Sequence, residues 1–370
     1  MLIQIHMLQN YAPSNLNRDD TGSPKDAVFG GVRRGRISSQ CLKRSIRHST
    51  AFVEAFKGDG LLASRTKRLP ELIRAELEAL GVAKGDVAAI VQRVPEIGRE
   101  SAKGSGAKAE GEEVETKQLI FVAPNEIRPM AEKLLEIYRR EGTGWAKAKI
   151  ENITKELGAS VPLSVDVAMF GRMTTSAAFQ NIEAAVQVAH ALSTNALAQE
   201  FDYYTAVDDL SGESGAGMIG DIEFNSSTYY KYVNVHWEGL LANLGGDAEL
   251  CSQAVLALLV AAATAQPSGK QNTFAAQNLP DFVLVEVRRE NLPVSYANAF
   301  MQPVRAGYGQ DTLMTMSIKA LCEYRDRLHR MYDLDDAPRA ICSLGVDLAG
   351  LPEEASLGAL KAWLAAQLPA

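Results

Sequence analysis

The chain has 370 residues, with 38 Lys and Arg against 45 Asp and Glu, a formal charge of −7. Hydrophobic residues make up 46% and charged residues 22%, a composition that excludes a disordered chain and a uniformly basic nucleic-acid coat, although not a local basic patch. At this length two domains, or one domain with large insertions, are expected.

In chain order, Leu2–Leu8 reads as a first strand with apolar residues on both faces. Asn10–Gly35, dense in Pro, Gly, Asn and Asp, reads as a loop. Ser38 or Ser39 can cap a helix running to about Phe56, with Leu42, Ile46, Val53 and Phe56 as its buried stripe. From about Lys57 to Ser160 the pattern is helical, at Leu69–Leu80, Asp86–Val94, Arg128–Glu141 and Trp145–Leu157. This insertion is interrupted by the polar, low-complexity Ser101–Lys117, expected to be mobile. Strand-length apolar or alternating segments return at Val161–Phe170, Ala185–Leu192, Tyr229–Trp237 and Asp281–Val287. Ser193–Thr228 is a long excursion with a Gly-rich second half. Asp247–Ala265, Thr312–Met331 and Leu357–Leu368 read as helices, so the class is α+β with an antiparallel sheet.

The longest apolar run, Ala254–Ala265, stops at Gln266-Pro267, short of the roughly 18 to 20 residues that cross a bilayer. No membrane partner is expected. The opening MLIQIHMLQNY has neither a basic start nor a small-residue cleavage site, which leads us to expect a cytoplasmic protein. Cys41, Cys251, Cys322 and Cys342 form no CxxC pair and have no His at ligand spacing, so free thiols are expected rather than zinc or disulfides.

The strongest chemical signal is Arg18–His48, where Arg18, Lys25, Arg33, Arg34, Arg36, Lys43, Arg44 and Arg47 stand against Asp19, Asp20 and Asp26, about +5 in net charge. Ser38, Ser39, Gln40, Gly30 and Gly31 lie among them. Cations with small donors and closely approachable backbone suit a phosphate chain; a solvated basic helix face is the plainer alternative. Arg172 with Met173, after an expected strand, is a second place to hold phosphate and stack on a base. Lys270, in the polar loop QPSGKQN, is a third, although the phosphate-loop pattern GxxxxGK[ST] is absent. The acidic pairs Asp19-Asp20, Asp208-Asp209 and Asp335-Asp336 can hold Mg²⁺ in principle, yet adjacent loop carboxylates are more often solvated or capping. The five histidines are scattered and GxSxG and HExxH are absent, so no cofactor, metal or catalytic residue is assigned and no enzyme is expected.

Taken in order, Leu16–Ser49 (LNRDDTGSPKDAVFGGVRRGRISSQCLKRSIRHS), Asp166–Ser176, Val188–Thr194, Asp202–Leu210, Lys270–Asp281 and Pro293–Val304 strongly resemble the backbone subunit of the type I-E CRISPR surveillance complex Cascade, the CRISPR-associated protein seven (CasC) family. The resemblance implies a hand-shaped protein. Residues 1–58, 161–192 and 229–370 would form an RRM-like (ferredoxin-like) palm with an antiparallel sheet, 59–160 helical fingers, and 193–228 a long thumb loop. It implies RNA contacts at Arg18, Lys25, Arg36, Ser38, Ser39, Gln40, Lys43, Arg44, Arg47 and Lys270. It also implies a duplex wedge at Met173, Tyr204, Thr205 and Ile219. The implied partners are CRISPR RNA, the target DNA strand, further copies stacked head to tail, and the other Cascade subunits (large, small, guide-end-binding and guide-processing endonuclease). Asp208-Asp209 would then meet a basic surface of a neighbouring copy. Backbone subunits of type III complexes, which cut RNA with a loop Asp and a metal, supply the alternative, with Asp19, Asp20 and Asp26 in the corresponding region.

Overall fold

In a computed structural model, the described residues are 1–58, 60–97, 115–116, 119–157, 164–173, 178–179, 181–207, 210, 216–307, 309, 311–334, 336–342, 345–346, 348 and 350–369. They divide into two compact units, one of Met1–Phe52, Gln187–Trp237 and Ser252–Ala370, the other of Val53–Val186 and Glu238–Cys251.

The first unit is organised by strand β1 (Leu2–Ser14), longer than the sequence pattern suggests and buried on both faces. Around it stand β2 (Asp26–Phe29), β3 (Val32–Ile37), β4 (Val186–Val188), β5 (Ala191–Ser193), β6 (Glu200–Val207), β7 (Ala216–His236), β8 (Phe282–Arg288) and β9 (Ala337–Cys342). The strand order is β9-β8-β1-β7-β5-β3-β2, with β4 and β6 also paired to β7. β1 runs antiparallel to β8 and to β7, so His6 lies opposite Leu284 and Tyr232.

Because strand side chains alternate, Leu2, Gln4, His6 and Leu8 share one face while Ile3, Ile5, Met7 and Tyr11 share the other. The even-numbered face packs Leu8, Tyr230, Tyr232, Phe282 and Leu284 against Ile318 and Leu321 of helix Leu313–Tyr332. A charged cluster is buried there too. Glu286 accepts hydrogen bonds from Tyr296 Oη at 2.7 Å and Arg325 Nε at 2.5 Å. Mutual pairing offsets the cost of taking these groups out of water. On the odd-numbered face Lys231 is buried opposite Met7, with its ammonium over the Tyr11 ring at 5.8 Å from the centroid.

Three sequence expectations are corrected. Asn10–Gly35 is not one loop, because β1 continues to Ser14 and β2 and β3 form a hairpin. Its two-residue turn is Gly30-Gly31, with φ of 60° and 78°, a left-handed pair that glycine adopts without a Cβ clash. Ser193–Thr228 is not a loop but mostly a hairpin of β6 and β7, with Glu200 opposite Phe224 and Thr205 opposite Ile219. Val161–Phe170 is not a strand: Val165–Phe170 is a helix, belonging with the second unit, and 161–163 lie outside the described residues. An apolar run without a period of two or of 3.6 does not tell the two apart.

The expected helix from Ser39 to Phe56 is broken into α1 (Ser39–Arg47) and a short helix Thr50–Ala55. Ser49 ends one and starts the other: its Oγ donates to Ile46 O at 2.7 Å and accepts from Phe52 N at 3.2 Å. The break shifts the helical phase, so Phe52 rather than Val53 is fully buried.

The second unit is helical, as expected, with helices Leu69–Ala79, Lys84–Val91, Val94–Ile97, Pro124–Glu141 and Ile150–Leu157 around Leu69, Ile73, Ile90, Met130, Leu134 and Ile153. Trp145 enters this core and satisfies its ring N–H on Ala89 O at 3.0 Å. Ser64–Thr66 and Ile120–Val122 add a two-stranded sheet. Of Ser101–Lys117, Glu115 and Thr116 are described and the rest lies outside the described residues.

Candidate nucleic-acid interface

The basic segment folds so that its residues gather at the start of α1. Ser38 is the N-cap, its Oγ accepting from Cys41 N at 3.3 Å. Its own N–H donates to Asn17 Oδ1 at 2.8 Å, while Lys25 N donates to Asn17 O at 2.8 Å and Arg36 N to Lys25 O at 2.9 Å. One asparagine therefore ties the loop, the β3 end and the helix cap together. Arg36 is held from two sides, Nε donating to Asp26 O at 3.0 Å and Nη1 lying 3.3 Å from His190 Nδ1. Ser39 N donates to the same His190 nitrogen at 3.3 Å. Burial, Arg36 and Lys25 hold the His190 pKa below its ordinary value, so it stands there as a neutral acceptor.

Beside α1 lies a groove in two adjoining parts. The first, about 590 Å³, is lined by Leu16–Gly22, Cys41, Ser268 and Gly269. The second, about 510 Å³, is lined by Cys41, Arg44, Ser45, His48, Thr264–Gln266 and Ser268, among others. The far wall is the loop carrying Lys270. A Cβ on Gly269 would stand 2.2 Å from Leu16 O, so only glycine lets this loop lie against the β1 end. Gln266 anchors it, accepting from Tyr11 Oη at 2.7 Å and donating to Asn278 O at 2.7 Å.

Of the expected RNA contacts, Arg18 and Arg44 line this groove, Lys25, Arg36, Ser38 and Ser39 are tied together by hydrogen bonds at the start of α1, where Gln40 follows in the helix, and Lys270 is next to Gly269 on the loop opposite. Lys43 and Arg47 lie on other sides of α1 and are partly buried. Ser38 is 5% exposed and used by its own helix cap, so its contribution is to position the neighbours. Two arginines of the segment are engaged within the protein, one on the surface and one inside it. Arg33 pairs with Asp26, and Arg34 is fully buried, donating to Ser193 O, Thr194 O, Phe300 O and Met301 O at 2.8 to 3.2 Å.

The expectation for Arg172 is corrected. It belongs to the helical unit, is 7% exposed, and donates to Glu126 Oε1 at 2.6 Å and Phe121 O at 3.1 Å. A guanidinium committed to a buried carboxylate is not on offer to phosphate. Met173 beside it is 96% exposed.

The remaining wedge residues sit on the β6–β7 hairpin but not on one face. Thr205 and Ile219 are direct partners and share their face with Phe201 and Tyr203. Tyr204 points the other way, and its ring lies over Gly220, where an added Cβ would meet Tyr204 Cζ at 2.6 Å. Phe201, Tyr203 and Ile219 are each more than 60% exposed, against 37% for Tyr204. Period-two spacing in EFDYYTAV carried that signal, and it is hidden while the segment is read as a loop. Asn15 joins the hairpin root to the groove, donating from Nδ2 to Glu223 O and to Gly22 O, both at 2.9 Å.

Of the acidic pairs, Asp19 is used by its own turn, its Oδ1 accepting from Thr21 Oγ1 at 2.8 Å, Thr21 N at 2.9 Å and Ser23 N at 3.0 Å, which lowers its pKa. Asp208-Asp209 and Asp335 lie outside the described residues. Asp336 joins Glu286 and His329, whose ligand atoms lie within 4.8 Å of one another, as the metal-compatible group among the described residues. Arg325 and Arg288 already sit against these carboxylates, Arg325 Nη2 at 3.2 Å and Arg288 Nη2 at 3.5 Å from Asp336. A cation would have to displace two guanidinium groups there.

The family model described as CT1975-like protein, of CRISPR-associated proteins, matches residues 3–366. The chain belongs to this family. Two solved structures resemble it along their whole length. One, titled CRISPR RNA-guided surveillance complex, pre-nicking, has 32% identity and a TM-score of 0.81 over 99% of this chain and 100% of that one. The other, titled CRISPR RNA-guided surveillance complex, has 28% identity and a TM-score of 0.72 over the same shares. Comparison with curated proteins yields no match.

Proposed function

We propose that this chain is a guide-RNA-binding backbone subunit of a CRISPR surveillance complex, of the type I-E kind that its sequence blocks resemble. The observation that carries the reading is the open groove beside α1, lined by Arg18 and Arg44, on a chain that matches a chain of an RNA-guided complex along its whole length. Such a groove suits the phosphate–ribose backbone, as binding of guides of any sequence requires. The strand order β8-β1-β7-β5, with α1 between β1 and β5 and helix Ala248–Thr264 between β7 and β8, supports an RRM-like palm. An RRM stacks bases on its open sheet face. Here Tyr230 and Tyr232 are buried on the face packed by helix Leu313–Tyr332, which favours contact through α1 and the loops instead.

In this reading copies stack head to tail on the CRISPR RNA beside the other Cascade subunits, and the β6–β7 hairpin is the thumb. Phe201, Tyr203 and Ile219 would press into the guide–target duplex, since an exposed aromatic face can replace a lost base stack. The subunit would bind without cutting. Asp19 serves its turn and Asp26 pairs with Arg33, which favours this over the type III-like nuclease. Ordered cleavage of guide-matched RNA with Mg²⁺, lost on Asp26→Ala, would establish the nuclease instead.

The test is the salt dependence of binding to single-stranded RNA. Arg44→Ala, which lines the groove, should lower the slope of log affinity against log salt by about 0.7 to 1, and Lys43→Ala by less. Wild-type binding that is flat in salt would overturn the reading.

A further inference from the structure

We infer that His190 is a positioning residue for the guide-RNA interface, acting through Arg36 and the first turn of α1; the inference rests on the RNA-binding reading above. Sequence reasoning assigns this histidine no role. It lies in the link between β4 and β5, and the neighbouring Ala189 N donates to Tyr232 O at 2.9 Å, which fixes the link to the sheet. Its Nδ1 lies 3.3 Å from Ser39 N and 3.3 Å from Arg36 Nη1.

Both neighbours are donors, since a backbone N–H and a guanidinium have no lone pair to offer. Nδ1 must therefore be the unprotonated nitrogen, with the hydrogen of the neutral ring on Nε2. The two donors matter for different reasons. Ser39 N is among the first N–H groups of α1, which have no partner inside the helix. Arg36 is a candidate phosphate ligand whose long side chain loses rotamer freedom when it binds. Asp26 O holds its Nε and His190 holds Nη1, so the guanidinium is fixed before RNA arrives. Its other N–H groups are not used by these two bonds. A pre-fixed fork binds phosphate with less entropy lost than a free one.

A proton on Nδ1 would turn the acceptor into a donor facing two donors. Lys25 and Arg36 are the charged groups that act on the ring, both positive, and they keep that proton off. The ring therefore contributes an acceptor without adding a charge of its own.

The test uses the full chain and a single-stranded RNA oligonucleotide, with thermal unfolding run alongside. His190→Ala should weaken RNA binding roughly tenfold, the loss expected for one hydrogen bond to a charged group. The salt slope should fall by about 0.7 to 1 although no charge has been removed, because Arg36 no longer holds its phosphate. His190→Asn, whose Oδ1 takes the place of Nδ1, should recover most of the affinity, and His190→Gln should not. Arg36→Ala in the His190→Ala background should add little. Independent, additive losses, an unchanged slope, or an Asn variant no better than Ala would overturn the inference. If wild type and Arg36→Ala bind alike, the fault lies with the RNA-binding reading of this surface rather than with His190 alone.

Discussion

Arg34 separates a charge count from a structure. It stands in the middle of the basic segment, yet its guanidinium is fully buried and donates to four main-chain carbonyls on two separate segments, Ser193–Thr194 and Phe300–Met301. The turn of its own hairpin closes on the same place, since a Cβ on Gly30 would stand 1.9 Å from Met301 O. Arg34→Met keeps much of the volume and removes every donor. Each buried carbonyl left without its partner costs about 1 kcal/mol or more, partly offset because a buried cation is removed too. A net loss of about 3 to 5 kcal/mol is expected, among the largest for a single substitution. Urea denaturation followed by circular dichroism measures it, and RNA binding by the folded protein should keep its wild-type salt slope. A variant as stable as wild type, with its slope lowered by about one, would place Arg34 on phosphate and refute the reasoning.

Two further outcomes follow from the sheet unit. Tyr203→Ala should leave RNA binding near wild type and impair pairing with target DNA, whereas Tyr204→Ala, which uncovers Gly220, should act mainly on the order of the hairpin; gel-shift assays of the guide-loaded complex with matched DNA, beside hydrogen exchange of β6, would show it, and the reverse pattern would refute the assignment of faces. Burial pushes the Lys231 pKa down to about 7 from its ordinary 10.5, so between those values the unfolded chain binds more protons and stability rises with pH. Lys231→Met should therefore stabilise most below pH 7, and urea midpoints that gain more at about pH 10 than at about pH 6 would contradict this.

What the sequence disclosed follows the strength of local pattern. β1, Tyr229–His236 and β8 alternate or run apolar between turn residues, and helices 69–79, 124–141 and 313–332 carry a clear period of 3.6. The two hairpins stayed hidden for opposite reasons. β2 and β3 are short and charged, so their arginines mask a Gly-Gly turn. β6 does alternate, with Phe201, Tyr203 and Thr205 on one face, but both its faces are exposed and the paired first half of β7 carries glycines and acids, so the pattern does not read as a half-buried strand. The cluster of basic residues was legible as composition. The division of labour within it was not, because the buried Arg34 and the partly exposed Arg36 differ by two residues in one strand, and only the surroundings of each tell them apart. His190 and Lys231 gave no local signal, as each depends on partners more than 100 residues away in sequence or across the sheet.

The net charge of −7 hides two opposed regions of one unit, the basic Arg18–His48 and an acidic hairpin. Between Glu200 and Phe224 the chain has seven acidic residues, Glu200, Asp202, Asp208, Asp209, Glu213, Asp221 and Glu223, and no basic one. A hairpin of that charge is repelled by a phosphate backbone, over a range of about 10 Å at moderate salt. If it reaches a nucleic-acid duplex, the contact has to come from groups without charge. Phe201, Tyr203, Thr205 and Ile219 form such a strip on one face, while Glu200 and Asp202 sit on the other. In that case the acids would limit how near the hairpin comes to the phosphates, and the uncharged strip would make the contact. Raising the salt should therefore weaken the hold of the α1 groove on RNA while easing the approach of the hairpin, two opposite dependences that a uniformly basic protein could not have.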